Sequence, residues 1–178
     1  CVRVEWGICK TPVWARKVRE MSSAEKAKKE QRNQECCKVS EEIKQRAADM
    51  EKEIIAERRY FHKHPELSLK ETETANALCW RLASMGIEYT RVPGNGIIAT
   101  IKGTAPDAYD AEGNPRCRIA LRSDIDALPV TELTGAPYAS ENEGVMHACG
   151  HDCHMSMLLG AARILLRMTC LLYTSDAA

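Results

Sequence analysis

Apolar residues in the middle of the chain recur at helical steps. Val39, Ile43, Ala47, Met50, Ile54 and Phe61 are separated by three, four or seven positions, which places them on one face of an amphipathic helix. Ser40 offers an N-cap oxygen, and Glu41 and Glu42 fall in the first turn, where the helix dipole favours acids. The pattern predicts a helix over residues 39–61, ended by Pro65, which pushes His64 out of the α region. Ser68-Leu69-Lys70-Glu71 has the form of a capping box. The helix it opens presents Ala75, Leu78, Cys79, Leu82 and Met85 on one face, and Gly86 is a natural left-handed stop.

The period then changes. Residues 87–91 form a short strand candidate, Pro93-Gly94-Asn95-Gly96 is a turn, and residues 97–101 are a β-branched run that predicts a second strand. Residues 103–115 read as an exposed hairpin loop. Residues 116–122 predict a third strand, with Ile119 and Leu121 on one face and Ala120 on the other. A polar loop over residues 131–144 follows. Met155, Leu158, Leu159, Ala162, Leu165 and Leu166 then mark the buried face of a last helix. Helices alternating with strands predict an α/β domain.

Composition narrows the class. The 178 residues carry no net charge and 44% are hydrophobic, so a core is attainable and no nucleic-acid partner is expected. No run approaches the ~18 apolar residues of a membrane span, and no signal peptide is evident. The nine cysteines lack the regular spacing of a secreted scaffold, which points to a reducing, cytoplasmic setting with most thiols free. Cys36-Cys37 reads as a solvated pair. Residues 1–38 are expected to be a tail, poorly ordered or non-native. Residues 39–168 form the expected catalytic part, and residues 169–178 resemble the translation of a sequencing adapter.

The candidate chemistry lies between the last strand and the last helix. Met146-His147-Ala148-Cys149-Gly150-His151-Asp152-Cys153-His154 packs three histidines and two cysteines into nine residues. Thiolate, imidazole and carboxylate are the side chains that bind transition metals. Cys149 and His151 stand two apart, a spacing that lets both reach one metal from an extended segment. Upstream, Asp124 and Asp126 end the strand at 116–122, where α/β sites are built. His62 and His64, beside Pro65, read as packing residues of a helix corner in preference to ligands.

Four blocks together resemble a known family: residues 58–67 (Arg-Arg-Tyr-Phe-His-Lys-His-Pro-Glu-Leu), residues 120–129 (Ala-Leu-Arg-Ser-Asp-Ile-Asp-Ala-Leu-Pro), Pro137-Tyr138-Ala139-Ser140 with Gly144-Val145, and residues 146–154 continuing into 157–162. They look like the amidohydrolase branch of the aminoacylase/carboxypeptidase-type dinuclear metallopeptidases, which includes hippurate hydrolases, N-acyl-amino-acid deacylases and indoleacetyl-amino-acid hydrolases. The resemblance covers roughly residues 51–168 and rests on the order and spacing of the blocks. It implies the N-terminal part of a mixed-sheet catalytic domain, preceded by a long amphipathic helix, with the family's lid domain absent.

The same resemblance implies the roles. Cys149 and His151 map to metal ligands, and Asp126 to the acid that orients a metal-bound histidine. Asp124 takes a position where relatives place a ligand histidine. His154 is expected beside the ligands or in packing, and Cys153 is a bystander. The cofactors implied are two divalent ions, manganese or zinc, which polarise an amide carbonyl and activate a bridging water, while a glutamate moves the proton. The substrate class is an N-acyl amino acid or short peptide, and a homodimer is open for the parent enzyme. The family's Glu-Glu pair and two further histidines do not occur after His151, so the chain as given is expected to be inactive. Two other readings stand: a single structural zinc held by Cys149, His151, Cys153 and His154, and a helical interaction protein without catalysis.

Overall fold

The computed structural model describes residues 23–106 and 108–169, apart from the side chains of Glu25, Lys28, Arg32, Glu35 and Cys36. The expectations for residues 1–22 and 170–178 lie outside the described residues, as does the side chain of Cys36, while Cys37 is exposed. The order of elements is α1 (Ser23–Asp49), α2 (Glu51–Lys63), α3 (Thr72–Ser84), β1 (Glu88–Val92), β2 (Gly96–Thr100) and α4 (His151–Arg167). The chain divides into two compact units, residues 1–42 and 43–178. The site and the core belong to the second. No helix among the described residues is long and apolar enough to cross a membrane.

The predicted helix over residues 39–61 starts earlier and is divided. Its backbone is already helical at Ser23, so Ser40 lies inside α1 and caps nothing. The division falls at Met50, whose amide still reaches the Arg46 and Ala47 carbonyls at 3.3 Å, and whose carbonyl accepts from Ile54 at 3.0 Å. Of the predicted apolar face, Met50 and Phe61 are buried, whereas Ile43 is 41% exposed. The Lys- and Glu-rich sequence of α1 up to Asn33 gives the periodic signal nothing to register, which is why its start is not visible in the pattern.

α3 has the right face and the wrong cap. Ala75, Leu78, Cys79 and Leu82 are buried as predicted. The capping box does not form: the helix begins three residues late, and the Glu71 carboxylate accepts from the Leu69 amide at 2.9 Å instead. Leu69 takes a left-handed backbone, φ 67°, which the reciprocal box cannot accommodate. Glu66 supplies the cap from outside, accepting from the Glu73 and Thr74 amides at 3.2 and 2.7 Å. At the other end Gly86 sits at φ 72°, and the Ile87 amide bonds the Leu82 carbonyl at 3.0 Å. That six-to-one bond is a Schellman stop, with Ile87 buried beneath it.

β1 and β2 pair antiparallel, Glu88 opposite Thr100 and Val92 opposite Gly96. The third predicted strand is not formed. Residues 117–126 have no assigned strand or bridge, and Ile119 and Leu121 are 82% and 56% exposed. An alternating run needs a neighbouring strand to satisfy its backbone and cover its apolar face, and the described residues place none beside it.

The core is small. Phe61 of α2, Leu78 of α3, and Met155 and Leu159 of α4 pack together, with Ala77, Met85, Ile97 and Ile125 against them. α4 packs on α2 so closely that a Cβ on Gly160 would lie 3.0 Å from Ile54 Cδ1. The buried stripe of α4 is Asp152, Met155, Ser156, Leu159, Gly160 and Ile164. It shares only Met155 and Leu159 with the predicted face. Leu158, Leu165 and Leu166 are half-buried on another side, because a run this rich in leucine leaves the choice of face to packing.

Candidate metal centre

α4 begins inside the Cys/His cluster. Gly150 is its N-cap at φ 88°, a conformation costly for any side-chain-bearing residue. The Gly150 carbonyl accepts from the Cys153 and His154 amides at 3.0 and 3.2 Å. His151 is therefore the first helical residue, with Cys149 just ahead of the helix and exposed.

His151 is oriented by the predicted partner. Its Nδ1 lies 2.9 Å from Asp126 Oδ1 and 2.8 Å from the Asp126 carbonyl oxygen. The carbonyl can only accept, so Nδ1 carries a proton and donates. In the neutral ring Nε2 then holds the free lone pair, the arrangement in which a carboxylate fixes a metal-binding imidazole. Asp124 takes no part in this pair: it accepts from Arg122 at 2.6 Å and is half-exposed. His154 is exposed, its ring centroid 5.8 Å from that of His151. Among the described residues no group of three or more His, Cys, Asp or Glu side chains is arranged to hold a metal ion. The four-donor single-zinc arrangement is accordingly not formed.

Beneath the surface pair lies a polar network that sequence reasoning missed. Asp152, 1% exposed, accepts from Arg58 Nε at 2.9 Å and faces His62 Nδ1 at 2.8 Å. His62 Nε2 lies 3.2 Å from Glu132 Oε1. Glu132 also accepts from the Ser140 amide at 2.7 Å and from the Thr134 hydroxyl. Tyr138 meets His62 edge-on and lies beneath the Arg58 and Arg59 guanidinium groups. Burial works to raise the Asp152 pKa, yet the bonds from His62 and Arg58 outweigh it and hold the carboxyl below its ordinary value. The available signal was an acid in register with Met155, Ser156 and Leu159 on an apolar helical stripe, since a buried charge demands partners.

His147 is the second residue missed. It is 3% exposed, and neither ring nitrogen has a hydrogen-bond partner. Burial drives its pKa below the ordinary imidazole value, against the pull of the Asp152 charge. Asp152 Oδ1 is likewise buried and unpartnered.

Comparison with known proteins gives a family for part of the chain. Residues 120–173 match the model of peptidase family M20/M25/M40. That stretch belongs to the M20 family. The chain is 41% identical over 127 residues to an N-acyl-L-amino acid amidohydrolase of Geobacillus stearothermophilus, covering 71% of this chain and 32% of the relative. It is 39% identical over 129 residues to thermostable carboxypeptidase 1 of Saccharolobus solfataricus, covering 71% and 30%. The crystal structure of the Bacillus subtilis YXEP protein, a dinuclear metal binding peptidase from the M20 family, superposes with a TM-score of 0.60. It is 40% identical and is matched over 68% of this chain and 32% of its own. The M20 stretch thus lies in a partial α/β catalytic domain, and the chain spans about a third of the length of these relatives.

Proposed function

We propose that this chain contributes part of the metal centre of an M20-type amidohydrolase that cleaves the amide bond of N-acyl amino acids or short peptides. The observation that carries the reading is the Asp126–His151 hydrogen bond, 2.9 Å, beside an exposed Cys149. Cys149 and His151 would hold divalent metal, manganese or zinc. Their donor set fits it: one thiol open to solvent and one imidazole whose Nδ1 proton is already engaged. Two donors fall short of the four that a zinc ion takes, and water or further side chains would complete the set. When bound, a pair of such ions polarises the amide carbonyl and lowers the pKa of the attacking water.

The chain's own residues do the positioning. Asp126 keeps the His151 proton on Nδ1 and the ring in one orientation. Gly150 lets the backbone turn from Cys149 into α4. His154, exposed and 5.8 Å from the His151 ring, stands beside the ligands, and Asp124 serves the turn through Arg122. The test is hydrolysis by the longest encoded form of the protein. A panel of N-acetyl and N-benzoyl amino acids and dipeptides should be cleaved, with activity lost to a chelator and restored by manganese or zinc. A pure, folded, metal-loaded protein that cleaves none of them would overturn the reading.

A further inference from the structure

The end of α2 grips both members of the Asp126–His151 pair. On one side, His62 Nδ1 holds Asp152, the residue after His151, at 2.8 Å. On the other, the Glu66 carbonyl accepts from the amide of Ala127, the residue after Asp126, at 2.7 Å, and Leu67 bridges Ala127. Each grip is one residue from the group it serves. Three residues of α2 and its corner, His62, Glu66 and Leu67, therefore fix the two chain segments whose separation the Asp126–His151 bond needs.

His62 is the member with most to lose. Its ring is 4% exposed and lies between two carboxylates, Asp152 and Glu132. Glu132 is itself anchored by Ser140 and Thr134, so the loop between the Asp126 and His151 segments is tied to the same ring. The corner is fastened further by Asn142 Nδ2, which donates to the Pro65 carbonyl at 2.7 Å, and by the Glu141 amide, which donates to the Lys63 carbonyl at 2.8 Å. Lys63 points outward, to the exposed Glu141 carboxylate.

We propose that His62 is a positioning residue: by holding Asp152 and Glu132 it sets His151 against Asp126 and so preorganises the imidazole for metal. The inference rests on the metal reading given above. An outer partner of a metal ligand typically governs 10- to 100-fold in affinity; His62 acts one step further out, which argues for the lower end.

The test compares the unsubstituted chain with His62→Gln, Glu132→Gln and the outward control Lys63→Ala. Three quantities are read: helicity by circular dichroism, affinity for zinc against a chromophoric chelator, and the His151 ring tautomer from two-bond nitrogen–proton NMR. The expected result is that H62Q and E132Q stay helical, bind zinc about 10-fold more weakly, and show a mixture of His151 tautomers. K63A should change none of the three. A folded H62Q with unchanged zinc affinity and an unchanged His151 tautomer would overturn the inference, as would loss of the fold in both variants. If the unsubstituted chain binds no zinc at Cys149 and His151, the metal reading fails, and the tautomer comparison still decides whether His62 positions the ring.

Discussion

Replacing Asp152 by Asn probes the buried network directly. Asp152 is 1% exposed and carries two bonds, from Arg58 and His62. Removing one member of a buried ion pair costs about 3–5 kcal/mol, because the partner charge is left without compensation. Two features discount that range here. Arg58 is 35% exposed in its side chain, so water takes over part of its solvation. His62 keeps Glu132 as a partner. We therefore expect a loss near the low end, about 3 kcal/mol, which is a large share of the ~5–15 kcal/mol that holds an ordinary domain together. At roughly 2–4 °C per kcal/mol for a chain of this size, the melting midpoint falls by about 6–12 °C. Urea unfolding followed by far-ultraviolet circular dichroism measures it, with Asp124→Asn as the control. Asp124 has a half-exposed ion pair with Arg122, and its loss should cost under about 0.5 kcal/mol. If D152N proves as mild as D124N, the buried network does not stabilise this fold and the reasoning is refuted.

Three further outcomes follow from single residues. Burial works to raise the Glu132 pKa, but its bonds from Thr134, Ser140 and His62 win and hold it below the ordinary 4.5. A carboxylate depressed in the folded state contributes stability that is full above its unfolded pKa and lost as pH falls through the folded one, so stability should drop below about pH 4.5, and less steeply in Glu132→Gln, as read by urea midpoints across pH. Gly150→Ala meets no atom within 4 Å, so its cost is backbone alone, about 1–2 kcal/mol at φ 88°; Gly150→Asn, which tolerates that region, should cost less in the same melts. Ile119→Lys, at a position 82% exposed, should leave the urea midpoint of this chain within about 0.5 kcal/mol of the original, and a large loss would show that a neighbour covers residues 117–126.

What the sequence discloses and what it hides divide along physical lines. Gly86 and the β1–β2 turn were legible because backbone conformation there depends on one or two residues. The Cys/His cluster stood out because ligand chemistry needs few residue types at short spacing, whereas Asp126, 25 residues from His151, was singled out only by the family resemblance. The α3 cap was not legible, since Glu66, six residues before the first helical residue, displaced the local Ser68–Glu71 pair. The strand at residues 116–122 carries the right alternation, but a strand exists only with a partner. Asp152, Glu132 and His62 are 20 to 90 residues apart. Their meeting is a property of the α2–α4 packing and of the loop folded over it, and no local pattern encodes it.

The most direct test of the metal centre is cobalt(II) titration of this chain, watched for the thiolate-to-cobalt charge-transfer band. Metal held by Cys149 and His151 gives a band that survives Cys153→Ser and Cys117→Ser, weakens in Asp126→Asn, and vanishes in Cys149→Ser and His151→Ala. A band that persists without Cys149 and His151, or no band at all in the unsubstituted chain, would contradict it.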